Sequence, residues 1–397
     1  MRMVVVGAGI AGLVTAVAAS RAGHEVTVIE RSGPGSATGA GISLFGNAMR
    51  GLDSIKSGIS GTVGDRVRSM GGGLAPGSTM GFRTPRGRWL VRSTVGTDGQ
   101  WAEGSEVVVV HRADLQKILL RELPAGVVQW GSSWQSVAQR YDGAEVTWTT
   151  ANERQKALCD IVIAADGINS PLRRAGWPED PGVRYSGYTS WRGVTSDSFT
   201  LRSGGETWGR GERFGCAPLQ GGRVYWFATA SVDAGSSSAD EREEVIRRFG
   251  HWHDPIPALI AATPVEKVLH HDIIDLAAPL RTFVRGRVVL VGDSAHAMTP
   301  DLGQGGCQAI EDAVTLVTLL TGAQTTNGIA RALNRYDDVR RHRTQPIAAR
   351  ARRVGRVAQL SSWPAAAIRD AVMTALPNSL ILGAGTAIGS WAPPSSA

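Results

Sequence analysis

Residues 3–6 (Met-Val-Val-Val) are apolar without interruption, the pattern of a short strand buried on both faces of a parallel sheet. A glycine-rich turn follows, Gly7-Ala-Gly9-Ile-Ala11-Gly12, and then a helical run over 13–22 with small residues on one face. Gly23 ends that helix, and residues 24–29 read as a second strand closing at Glu30, which completes a βαβ unit. Two later segments have the same buried-strand pattern, one ending at Asp166-Gly167 and the other at Gly292-Asp293, and residues 308–320 form a long helical pattern. Between the first unit and the Asp-Gly strand, 112–123 reads as a helix and 139–148 as a hairpin turning at Asp142-Gly143. Gly71-Gly-Gly73 and Pro76-Gly77 mark a crossing before a two-stranded ribbon over 80–92.

From about 183 to 267 the pattern changes to strands rich in Trp and Tyr, at 185–194, 206–208, 213–219 and 223–230, with helices at 239–249 and 256–262. The expected fold is α/β. A discontinuous Rossmann-like dinucleotide-binding domain (1–72, 97–180 and 268–330) has a parallel sheet. A mostly antiparallel substrate domain (73–96 and 181–267) is inserted into it and covers the nucleotide site as a lid. A C-terminal helical segment (331–392) and a short tail (393–397) follow.

Composition narrows the function classes. With 42% apolar and 19% charged residues among 397, the chain is expected to be globular rather than disordered. Glycine, at 50 residues, is well above the usual share of about 7%, as close backbone approach to a nucleotide requires. Cys159, Cys216 and Cys307 are scattered without a CxxC, so no disulfide framework and no metal site is indicated. No apolar run approaches the roughly 20 residues of a membrane span, residues 1–20 lack a signal-peptide layout, 370–397 read as a packed helix and tail rather than a membrane anchor, and the expected compartment is the cytoplasm with no membrane partner. The net charge of +7 is concentrated in 331–369, where ten arginines face Asp337 and Asp338. No aromatic residues interleave that run at stacking distance, so nucleic-acid binding is not expected.

The glycines of the first turn have separable tasks: a tight turn at Gly7, close approach of a pyrophosphate at Gly9, and close helix–strand packing at Gly12. The helix N-terminus presents unpaired N–H groups to phosphates, and Glu30 ends the second strand where it can accept ribose hydroxyls. A similar glycine set at Gly383-Ala-Gly385-Thr-Ala-Ile-Gly389 follows no clear strand, is followed by only eight residues and is read as a decoy. Acids at the C-terminal ends of parallel strands, Asp166 and Asp293, can accept hydrogen bonds from a ribityl chain. The turn carrying Gly303, Gly305 and Gly306 can aim backbone N–H groups at a ring carbonyl.

With these motifs in this order, residues 1 to about 345 resemble the single-component, FAD-dependent aromatic hydroxylases of the para-hydroxybenzoate hydroxylase pattern. Gly39-Ala-Gly41-Ile-Ser43 and His111-Arg112-Ala-Asp-Leu115 also carry the resemblance. It implies an FAD site made from Gly7, Gly9, Ala11, Gly12, Glu30, Arg31, Ser43, Arg112, Gly292, Asp293, Gly303, Gly305 and Gly306. Asp166 is implied to serve both FAD and a passing NAD(P)H. Only one credible nucleotide fold is present, so the nicotinamide is expected as a transient co-substrate. The resemblance further implies a flavin C4a-hydroperoxide, formed with O2, that oxygenates an electron-rich aromatic or heteroaromatic small molecule and must be kept dry.

Arg213, Tyr225 and Asp301 match in type and spacing the substrate-side trio of FAD-dependent urate hydroxylases, with Asp301 as a candidate base. Arg192 stands where those enzymes lead one to expect a neutral residue. Two plainer readings stay open: Asp301 as a helix cap, and Arg213 as a surface partner of Glu206 or Glu212. Trp191, Trp208, Tyr225 and Trp226 are all candidates for touching substrate. Epoxidation, Baeyer–Villiger insertion and, from another class, a flavin dehydrogenase or reductase remain alternatives, as do monomer and homodimer.

Overall fold

The structure, a computed structural model, describes residues 1–35, 40–74, 77–94, 106–151, 153–323, 325–378 and 386–394. Gly39, Pro76, Gly383 and Gly385, together with the last residues of the tail, lie outside the described residues.

A six-stranded sheet forms the centre of the nucleotide-binding part, in the order Val284–Arg285, Val288–Leu290, Ile161–Ala164, Arg2–Val6, Glu25–Glu30, Val128–Trp130. All pairs are parallel except the hairpin at 284–290. Val4, Val5, Ile161, Val162 and Ile163 are buried, which accounts for the continuous apolar runs in the sequence. Helices Ile10–Arg21 and Gly305–Leu320 pack together over this sheet. Both the Asp-Gly and the Gly-Asp segments therefore emerge at the same sheet edge as the first glycine turn.

The helix expected over 308–320 begins three residues earlier, at Gly305. A Cβ on Gly306 would lie 2.6 Å from Cδ1 of Ile42, so the helix starts close against the strand Gly41–Phe45 and a larger residue would have to move the Ile42 side chain. Tertiary contact overrides the poor helix propensity of paired glycines here.

The second large sheet has seven strands, in the order Leu269–Leu276, Val183–Val194, Val224–Ala230, Glu212–Pro218, Ser203–Trp208, Thr79–Arg83, Trp89–Thr94. Every pair is antiparallel except Ser203–Trp208 with Thr79–Arg83, by which the early ribbon joins the later strands. One face of this sheet presents Trp191, Phe214, Trp226 and Ala228 to helices Glu241–Phe249 and Ile256–Ala261, making a core of its own.

The C-terminal segment comprises a 33-residue helix, Thr326–Ala358, and a second helix, Trp363–Ala375. Much of the arginine-rich run is turned inward. Arg340 is fully buried against Glu311 and Asp312, Arg343 pairs with Glu311, and Arg352 pairs with Asp275. Among the described residues, no helix is long and apolar enough to cross a membrane.

Candidate active site

The first glycine turn has the shape a pyrophosphate needs. Gly7 takes φ +107°, and a Cβ there would strike the Ala165 carbonyl at 2.4 Å. At Gly12 a Cβ would meet the Gly7 oxygen at 1.9 Å, so helix and strand touch backbone to backbone. Gly9, by contrast, is exposed with nothing within 4 Å of an added Cβ, leaving the open approach a ligand requires. Glu30 accepts the N–H groups of Ala8 and Ser32 at 2.7 and 2.8 Å, which fixes its carboxylate beside the turn. Arg31 and Arg112 are exposed, Arg112 being the first residue of helix Arg112–Arg121, and Ser43 is half-buried on the strand Gly41–Phe45.

Asp166 follows the strand Ile161–Ala164. Its Oδ2 accepts from Leu172 N–H, its Oδ1 is buried without a hydrogen-bond partner, and burial raises its carboxyl above the ordinary aspartate value. Asp293 is exposed between the buried Gly292 and Ser294, so its carboxylate faces the groove. Gly303 has φ +63° and lies against the ring of Phe45, while a Cβ on Gly305 would meet only Asp293 Oδ1 at 3.9 Å. A Cβ on Gly292 would lie 2.8 Å from that of Ala11, which brings the two turns together. An open glycine, a buried unpartnered carboxylate oxygen, an outward Asp293 and a free helix start line one groove. These residues fit a flavin dinucleotide.

Beneath the groove is a buried polar network that the sequence reading left without a role. Asp312 accepts the Gly292 N–H at 2.7 Å, His296 Nε2 at 2.6 Å and Arg340 Nε at 2.7 Å. Burial opposes the charge on Asp312, but His296 and Arg340 outweigh it and hold the carboxyl below its usual range. The unusual Gly292 backbone, at φ 63° and ψ −138°, is thus tied to a helix and to the C-terminal segment. Cys307 Sγ points at the carbonyls of Ser43 and Gly303, and burial pushes its thiol up to about 12, which removes it from nucleophilic chemistry.

Strand alternation decides which substrate-side candidates face the groove. Tyr225, Phe227 and Thr229 point to one side of their strand, as do their cross-strand neighbours Ala217, Gly215 and Arg213, and Val194, Arg192 and Ser190. Trp191 and Trp226 have the opposite parity and lie under the helices, so they do not reach this face. Trp208, the cross-strand partner of Arg213, packs with Leu90, Val91 and Met373. Of the four aromatic candidates, Tyr225 and Trp208 have the parity of Arg213, and Trp208 is occupied by this packing and by the hydrogen bond it donates to Glu206. The ring of Tyr225 lies on the backbone of Gly41, where a Cβ would stand 2.4 Å from Tyr225 Cγ, and burial raises its phenol. Phe227 was missed, although stepping two residues from Tyr225 finds it. It lies across Gly215, where a Cβ would be 2.3 Å from the ring.

Arg213 is fully buried. Its Nη2 donates to Asp301 Oδ1 at 2.6 Å, its Nε donates to Thr229 Oγ1 at 3.4 Å, and Glu206 lies 3.6 Å from Nη1. Burial works against its charge, and the carboxylates of Glu206 and Asp301 more than offset this. Glu212 is engaged elsewhere, with Arg248. Asp301 does not cap the following helix, which has Gln304 at its N-cap and no side-chain cap. Its Oδ2 instead accepts from Tyr188 Oη at 2.7 Å, so both oxygens are engaged. Tyr188, the second residue missed, also lies with its ring beneath the Arg213 guanidinium at 5.6 Å. Gly355 in the long helix makes room for this cluster, because a Cβ there would be 2.4 Å from Asp301 Oδ2.

A family model described as FAD binding domain matches residues 1–351. The Aurachin C monooxygenase/isomerase of Stigmatella aurantiaca is 36% identical over 377 residues, 94% of each chain. The FAD-dependent urate hydroxylase of Klebsiella pneumoniae is 33% identical over 359 residues, 89% of each chain. A solved structure of Klebsiella pneumoniae HpxO, complexed with FAD and uric acid, is similar with a TM-score of 0.85 at 29% identity, over 98% of this chain and 96% of that one. With its glycine cradle, its Gly-Asp turn and these matches over most of its length, the chain belongs to the FAD binding domain family and stands among the FAD-dependent monooxygenases.

Proposed function

We propose that the protein hydroxylates a small, electron-rich aromatic or heteroaromatic ring, taking electrons from a transiently bound NAD(P)H and oxygen from O2. The observation that carries this reading is the buried Arg213, held by Asp301 on the same sheet face as Tyr225 and Phe227, opposite the flavin groove. FAD, when bound, supplies the two-electron chemistry and the activation of O2 that side chains lack.

The chain's own residues have the remaining tasks. Arg213 holds a partly anionic ring, Tyr225 donates a hydrogen bond to it, and Phe227 offers an apolar surface. Asp301 first fixes Arg213. It accepts a substrate proton only where Tyr188 or Arg213 gives up one of its oxygens, so its leading role is positioning. The seven-stranded sheet and the C-terminal helix exclude water from the groove, which protects the oxygenating step from wasteful discharge. Arg192 adds a second cation beside Tyr225, and this favours a substrate more anionic than, or different from, the uric acid bound by HpxO.

The test is NAD(P)H oxidation and O2 uptake across a panel of phenols, aminobenzoates, quinolones and purines, with product mass spectrometry. Substrate-stimulated oxidation with a gain of one oxygen atom supports the proposal. Anaerobic turnover with another acceptor and no oxygen gained would instead identify a flavin dehydrogenase.

A further inference from the structure

Helix Trp363–Ala375 already spends one face on the protein. Ala366, Arg369 and Met373 are buried, Met373 clustering with Leu90, Val91, Trp208 and Ala358. An ordinary surface helix would then be polar on its other side. Here the exposed positions are Trp363, Pro364, Ala367, Ile368, Ala371, Val372, Thr374 and Ala375, followed by Leu376, and all but Thr374 are apolar. Trp363 is 68% exposed, Ile368 65%, Val372 48% and Leu376 43%, and Val357, at the end of the preceding helix, is 48% exposed. A contiguous apolar face of this kind marks a docking surface.

The charges around it identify the partner. Arg88 shares a shallow groove with Ala367, Asp370, Ala371, Thr374 and Ala375, and the exposed Arg353 and Arg356 precede Val357. None of these three arginines forms an ion pair among the described residues. Asp370 is the only acid after Asp338, and its carboxylate is held by Arg369 at 2.8 Å. An apolar face with a cationic rim complements an anionic lipid surface. A second copy of the chain would bring an identical arginine rim against this one.

We propose that the outer face of helix Trp363–Ala375 docks in the plane of an anionic membrane surface, with Trp363 and Ile368 inserted and Arg88, Arg353 and Arg356 at the headgroups. The proposal is independent of which ring the active site accepts.

The test uses the full chain loaded with FAD and sedimented with vesicles. The protein should sediment with mixed phosphatidylglycerol–phosphatidylcholine vesicles and, by about tenfold, less with phosphatidylcholine alone or at high salt. Ile368→Asp combined with Val372→Asp should abolish sedimentation while flavin content and unfolding midpoint stay at wild-type values. Arg353→Glu with Arg356→Glu should weaken it through charge alone. Equal sedimentation of the wild type and the Ile368/Val372 variant would overturn the proposal, as would no binding to either vesicle. A concentration-dependent dimer that the same variant dissolves, without vesicle binding, would assign the face to a second copy instead.

Discussion

Arg213 and Asp301, 88 residues apart in the chain, meet at 2.6 Å with both side chains buried. The arginine belongs to the antiparallel sheet and the aspartate to the turn Pro300–Leu302 beside the flavin groove. The pair therefore joins the two halves of the site, and Tyr188 completes it.

Arg213→Ala leaves the Asp301 carboxylate buried with only the Tyr188 hydroxyl. Removing one partner of a buried ion pair costs about 3–5 kcal/mol, so the unfolding midpoint should fall. Flavin absorbance per protein should stay at the wild-type level, while substrate-stimulated NAD(P)H consumption drops by about tenfold or more. Wild-type kinetics would dismiss the ring-holding role.

Gly355→Ala tests the same cluster from behind. Alanine favours the helix by about 1 kcal/mol over glycine in general. Here its methyl group would displace Asp301 and outweigh that gain. Expected are retained FAD, lower stability and a kinetic defect in the direction of Arg213→Ala. A variant more stable than wild type with unchanged turnover would contradict the close contact.

Gly9→Ala and Gly12→Ala should separate ligand approach from folding. Gly9 has open space around an added Cβ and an extended backbone, so the apoprotein should keep its unfolding midpoint but bind FAD more weakly. At Gly12 the clash with the Gly7 carbonyl should lower the midpoint of the apoprotein itself. Apoprotein thermal melts and FAD titration distinguish the two.

Asp293→Ala removes an outward carboxylate while leaving its buttress, Asp312, in place. A hydrogen bond to a charged group contributes about 1.5–3 kcal/mol, so FAD affinity should fall by about tenfold or more. Unchanged flavin content after purification would refute the assignment.

Acidification should destabilise the protein in a defined window. Burial holds His24, His111, His253 and His271 below the ordinary histidine value. Below about pH 6.5 the unfolded chain therefore takes up more protons than the folded one. Their contribution to stability is complete above that value and is lost as pH falls through it. With FAD saturating, the unfolding midpoint should be lower at about pH 5.5 than at about pH 7.5. Equal midpoints would be inconsistent with imidazoles held neutral by partial desolvation.

The βαβ unit, the Asp-Gly and Gly-Asp turns and most strands were legible in the sequence, because each follows from local rules. Apolar continuity marks a strand buried on both sides, glycine marks a close approach, and period-two alternation marks a sheet. Alternation also fixes that Trp191 and Arg192 point opposite ways, but not which of them faces the flavin groove. Both faces of that sheet are covered, one by helices and one by the nucleotide-binding part, so hydrophobicity does not distinguish them. The helix start at Gly305, the inward turn of Arg340 and the Tyr188–Asp301–Arg213 cluster depend on partners tens of residues or more away in the chain. Local sequence set the backbone's choices, and long-range packing of buried charge against buried charge decided where the chemistry is placed.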